Sequence, residues 1–189
     1  MAKKLTTKIV EDLFDHMAKK HKVKYLTEGN NLITRMLGAM GCKDIDAFLE
    51  NYAVTIPNLG GNRNFIYTPP GLSLTGEVML CAHEYEHIRQ IERDKTRGWR
   101  WLAKYAVNPT QRAYYESSAY RGNVEMYFWL TGKMLDLDKL VKSLRAYGLN
   151  TKQRATVRKK LGLSARVVKR GGIINKASQD VVAFLEDRV

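Results

Sequence analysis

The sequence predicts an α+β protein, mostly helical, with a small antiparallel sheet just ahead of one long central helix. Three observations lead there. Apolar residues recur at helical period through most of the chain, as Ile9, Val10, Leu13 and Met17 do near its start. Two short runs rich in β-forming residues, Ala53–Pro57 and Asn64–Thr68, flank the turn-forming Asn58-Leu59-Gly60-Gly61-Asn62. Between Ser73 and Lys95, Val78, Met79, Ala82, Ile88 and Ile91 form a helical stripe around His83-Glu84-Tyr85-Glu86-His87.

The elements follow in order. Leu5–Lys20 is an amphipathic helix, and Asn31–Met40 is a second, stopped by Gly41. Asp44 caps a short third helix through Glu50. The two strands come next, and Pro69-Pro70-Gly71 closes their unit. After the central helix, Gly98 opens a short aromatic helix with Trp99, Trp101 and Tyr105. Asn108-Pro109 starts a long helix to Thr131, with Pro at an early position where its missing N–H costs nothing. Asp136 or Asp138 opens a helix through Tyr147, closed by Gly148. Thr151–Leu161 is a strongly basic helix, Gly171-Gly172 a joint, and Ala177–Asp187 the last helix. No internal repeat is present.

The chain has 189 residues, 44% of them hydrophobic, enough to bury one core. Composition divides it into residues 1–150 and a basic helical segment, 151–189. No apolar run is long enough for a membrane span, and no signal-peptide apolar region follows the basic N-terminus, which predicts a cytoplasmic protein without membrane contact. Cys42 and Cys81 are too few for a disulfide framework. The net charge of +13 suits a polyanionic partner. It is uneven: Lys152, Arg154, Arg158, Lys159, Lys160, Arg166, Lys169 and Arg170 follow one another with no acid between them, a candidate nucleic-acid contact.

The chemistry is carried by His83-Glu84-Tyr85-Glu86-His87. The chain has four histidines, and two of them stand at metal-ligand spacing. One turn apart on a helix, their imidazoles share a face and can hold one zinc ion, while Glu84 can take a proton from the water that the ion activates. A catalytic site needs a third protein ligand. The His-Glu-x-x-His-x-x-Gly-x-x-His pattern fails, because its last two positions hold Gln90 and Arg93. The third ligand is then an acid on a later helix, Glu116 or Glu125. Glu116 is preferred: Ser117, Ser118 and Ala119 beside it let two helices approach closely, and Glu125 lies two and a half turns on, facing nearly the opposite way. Arg112, Tyr115, Tyr120 and Arg121 are candidates to orient ligands or substrate, with core and surface roles as the simpler reading.

His83-Glu84-x-x-His87-x-x-Gln90, then Trp99 and Tyr105, then Arg112-x-x-Tyr115-Glu116-x-x-Ala119-Tyr120 resembles the small gluzincin-type metallopeptidases of bacteria and phages, the minigluzincin-like proteins. The likeness spans about Asn64–Leu130. It implies a zincin-like metallopeptidase domain over residues 1–150, with Zn2+ held by His83, His87 and Glu116 and with Glu84 as general base in the hydrolysis of a protein or peptide substrate. It also implies a strand bordering the cleft, here Asn64–Thr68, to whose edge an extended substrate adds. The rival expectation is a basic nucleic-acid-binding protein on a zincin scaffold without protease activity.

Overall fold

The computed structural model describes residues 3–26, 31–58, 62–94, 96 and 98–189, with backbone only at Asn31 and Leu32. Leu59–Gly61 of the expected turn and Lys95 at the expected end of the central helix lie outside the described residues. Among the described residues the order is α1 (Thr7–His21), β1 (Val23–Leu26), α2 (Asn31–Ala39), α3 (Ile45–Asn51), β2 (Val54–Ile56), β3 (Asn64–Tyr67), α4 (Leu74–Glu92), α5 (Trp99–Val107), α6 (Pro109–Thr131), α7 (Leu137–Ser143), α8 (Thr151–Val168) and α9 (Lys176–Leu185). The architecture is mostly helical with one small sheet.

Helix starts obey the sequence. Thr6, Asp44, Ser73, Asn108, Asp136, Asn150 and Asn175 each stand at an N-cap and accept a backbone N–H from the first turn. The sheet differs from expectation. It is mixed, in the order β1-β3-β2, with β1 parallel to β3 and β2 antiparallel to it. β1 escapes sequence reading because it follows α1 with no glycine or proline between them; Lys22 takes the left-handed position, φ 53°, that glycine usually fills. β3 pairs on both sides and offers no free edge, so the strand bordering the cleft is β2, paired on one side only among the described residues.

α4 is the axis of the fold. Every residue from Cys81 to Ile88 is buried, because α6, α1, α9 and β2 pack around it. α6 comes close to it at Gly122: a Cβ there would lie 3.4 Å from the Ala82 backbone. Ala119 is buried nearby, while Ser118 spends its hydroxyl on Glu86, 2.8 Å away. α1 buries Val10, Leu13 and Met17, and burying the last two side chains contributes roughly 1.5–3 kcal/mol each. Gly98, at φ 83°, makes the turn into α5; a Cβ there would run into the Pro57 side chain, so no other residue fits.

The C-terminal third is packed helix. α8 runs seven residues beyond the predicted Leu161, continuing through Gly162 because Val157, Leu161, Ala165 and Val168 keep burying one face. Much of that face lies along α6, and α9 docks on α4 and α1. α7 ends at Ser143 rather than Tyr147, and the chain turns through Ala146, Tyr147 and Gly148 instead. None of the described helices is long and apolar enough to cross a membrane.

Candidate metal centre

His83 and His87 stand one turn apart on α4, and their rings meet edge to face at 5.0 Å. Glu116 comes from α6 to meet both. Its Oε2 lies 3.6 Å from His83 Nε2 and its Oε1 lies 3.3 Å from His87 Nε2. One donor atom from each of the three lies within 4.8 Å of the others, and all three residues are buried. This group can hold a metal ion.

The far side of each imidazole is fixed. His83 Nδ1 donates to Asn123 Oδ1 at 2.9 Å, and His87 Nδ1 donates to Gln90 Oε1 at 3.0 Å. A carbonyl oxygen only accepts, so each ring carries a proton on Nδ1 and turns Nε2 toward Glu116. Gln90 is itself held. Its Oε1 also accepts from Trp101 Nε1 at 3.2 Å, and its Nε2 donates to the Tyr115 carbonyl at 3.1 Å. On the acid, Tyr105 donates to Glu116 Oε1 at 2.5 Å.

Glu116 Oε2 is buried with no hydrogen-bond partner. A carboxylate oxygen out of water and unpaired is costly, and a cation among these donors removes that cost. In the metal-free protein the neighbouring histidines do part of this work. Burial pulls the His87 imidazole down, but the Glu116 carboxylate beside it, aided by Glu84 and Gln90, outweighs burial and raises it to about 9. Burial likewise pushes the Glu116 carboxyl up, and His87, His83 and Tyr105 together hold it below its ordinary range.

No family model, curated protein or solved structure matches this chain. The choice of Glu116 over Glu125 therefore stands on geometry. Glu125 is buried elsewhere: its carboxylate accepts from the Ile174 and Asn175 backbone N–H groups and fixes the start of α9.

Glu84 stands beside the group without joining it. Its Oε2 accepts from Thr55 Oγ1 of β2 at 2.6 Å, and its Oε1 lies 3.8 Å from His83 Nε2. A small cavity of about 10 Å³, close to the size of one water, lies among His83, Glu84, His87, Thr55 and Tyr105. Next to it an open cleft of about 250 Å³ reaches His83 and Glu84, walled by Tyr52, Leu72, Met79, Tyr120 and Tyr147.

Of the other predicted residues, Arg112 is buried and structural. Its guanidinium donates to the carbonyls of Tyr105, Ala106 and Tyr147, tying the end of α5 to the cleft wall. Tyr120 lies edge-on to His83 at 4.6 Å, Tyr115 stacks near Tyr105, and Arg121 donates to Ser164. Cys81 is buried and away from the metal group, and burial pushes its thiol up.

The eight basic residues divide. Lys152, Lys159 and Arg166 recur every seven residues on one exposed stripe of α8, and Lys169 and Arg170 are exposed at its end. Arg154 donates to the Leu149 carbonyl, Arg158 pairs with Asp138 at 2.6 Å, and Lys160 sits over the Tyr114 ring at 4.4 Å.

Sequence reading gave no role to Asn123, Gln90, Tyr105 or Thr55. Two of them carried a signal. Gln90 lies three residues after His87 and Asn123 seven after Glu116, each on its ligand's own helix face. Thr55, a lone polar residue in a fully buried strand, carried a weaker one.

Proposed function

We propose that this chain is a zinc-dependent metallopeptidase of the small gluzincin type, a zincin-like domain that hydrolyses peptide bonds in a protein or peptide substrate. His83, His87 and Glu116 would hold the ion. Two imidazoles and a carboxylate suit zinc, and three protein ligands leave a position open. When bound, zinc supplies a Lewis acid that lowers the pKa of water and polarises a carbonyl. Glu84 takes the proton from the attacking water and passes it to the leaving amine. Thr55 holds one carboxylate oxygen of Glu84 and leaves the other beside His83 for this transfer. Asn123 and Gln90 keep both imidazoles turned inward. The aromatic and apolar cleft suits a peptide with apolar side chains near the cleaved bond.

The observation that carries the reading is the unpartnered, buried Glu116 Oε2 facing two imidazoles whose opposite nitrogens are already engaged. The test is hydrolysis of a mixed peptide library by zinc-loaded protein. Glu84→Gln keeps the size and loses the base, so cleavage should fall at least about 100-fold with zinc retained. Equal cleavage by the variant would remove Glu84 from the mechanism. The exposed stripe of Lys152, Lys159 and Arg166 favours a second reading, a nucleic-acid-binding protein on this scaffold. Salt-dependent nucleic-acid binding by a chain that cleaves no peptide would support it.

A further inference from the structure

Gln90 separates His87 from a second cavity of about 450 Å³, larger than the cleft beside Glu84. Arg93, Arg100 and Lys104 line it with exposed side chains, and none of them makes an ion pair among the described residues. Its one acid, Asp94, accepts from Trp101 N at 2.8 Å and from the Thr96 hydroxyl at 2.9 Å, and its charge is also felt by Arg100. The floor is preformed, because Trp101 stacks on Tyr105 at 4.9 Å and bonds to Gln90. At the rim, Tyr114 is 57% exposed and presents an aromatic ring to solvent. Lys160 lies over that ring and brings a fourth cation from α8.

Exposed cations in excess of acids around a concave floor, with an exposed aromatic at the rim, suit a strand of phosphates carrying an accessible base. In a duplex the base faces are stacked inside and cannot stack on a tyrosine ring at the rim. We infer that this cavity binds single-stranded nucleic acid, with a base stacked on Tyr114 and the flanking phosphates on Arg93, Arg100 and Lys104. The net charge of +13 draws such a polyanion to the whole surface, and the cavity gives it a place to lodge. The inference is independent of hydrolysis at Glu84.

The test is fluorescence anisotropy of the full chain with a labelled oligo-dT of about 12 nucleotides across a salt series, beside a duplex of equal length. Tyr114→Ala should weaken single-strand binding about five-fold or more, while Tyr114→Phe, which keeps the ring, stays near the parent. Arg93→Ala/Arg100→Ala/Lys104→Ala should weaken it further and reduce the salt slope by about 2, from about 0.7 per lost phosphate contact. Lys19→Ala/Lys43→Ala/Lys139→Ala removes equal charge from exposed positions outside the cavity and should leave most of the affinity. The duplex should bind more weakly than the single strand. Any of three results would overturn the inference: no binding at about 50 mM salt, Tyr114→Ala binding like the parent, or equal losses in the two triple variants. Circular dichroism melts of each variant confirm that the chain compared is folded.

Discussion

Raising the pH should destabilise the metal-free protein through one pair, His87 and Glu116. In the metal-free native state the His87 imidazole ionises at about 9, against 6.5 ordinarily. The folded chain therefore holds this proton more tightly than the unfolded chain. The resulting stability is fully present below about pH 6.5 and is lost as the pH rises through about 9. A difference of that size is worth about 3 kcal/mol, of which about 2 kcal/mol remains at pH 7.5. The lowered Glu116 carboxyl is the other half of the same pair, so it sets the acid limit, where Glu116 takes up its proton, and adds no second contribution. The assay is urea unfolding of chelator-treated protein at about pH 6, 7.5 and 9.5, for the parent and for Glu116→Gln. Relative to the variant, the parent should lose about 3 kcal/mol across that range. Metal binding needs the neutral imidazole, so it should also release about one proton at pH 7.5, visible as buffer-dependent heat in calorimetry. Identical pH profiles in parent and variant would refute the argument.

Gln90→Leu removes the acceptor of both His87 Nδ1 and Trp101 Nε1, and should lower metal affinity about 10–100-fold in chelator competition; a change under about three-fold would deny Gln90 that role. Glu125→Ala leaves the Ile174 and Asn175 N–H groups unpaired and should cost about 2 kcal/mol of stability with metal uptake unchanged. Loss of metal with no loss of stability would reverse the parts given to Glu125 and Glu116.

The grouping of His83, His87 and Glu116, which could hold a metal ion, was legible because its logic is local. His83 and His87 are one turn apart in a stretch with helical apolar spacing, and the half-turn offset between Glu116 and Glu125 leaves only one acid facing them. The supports of that set were harder to read, because Thr55 and Tyr105 reach it across tertiary contacts from β2 and α5. Gln90 had the right periodicity to reach His87 on its own helix, whereas Asn123 reaches His83 only where α6 packs closely on α4, near Gly122. The small sheet was half legible. β2 and β3 carried β-forming residues and a turn between them, whereas β1 joins by parallel pairing over a long sequence gap and has no local signature. In α8 the propensity of Gly162 to end a helix lost to the burial of Leu161, Ala165 and Val168.

The central claim is tested most directly by metal analysis of the full chain after zinc loading and dialysis, joined to anomalous diffraction at the zinc edge. One zinc per chain is expected, centred among His83 Nε2, His87 Nε2 and the Glu116 carboxylate, retained in Glu84→Gln and lost in Glu116→Ala. A chain that takes up no stoichiometric zinc, or that places it away from these three residues, would contradict the account.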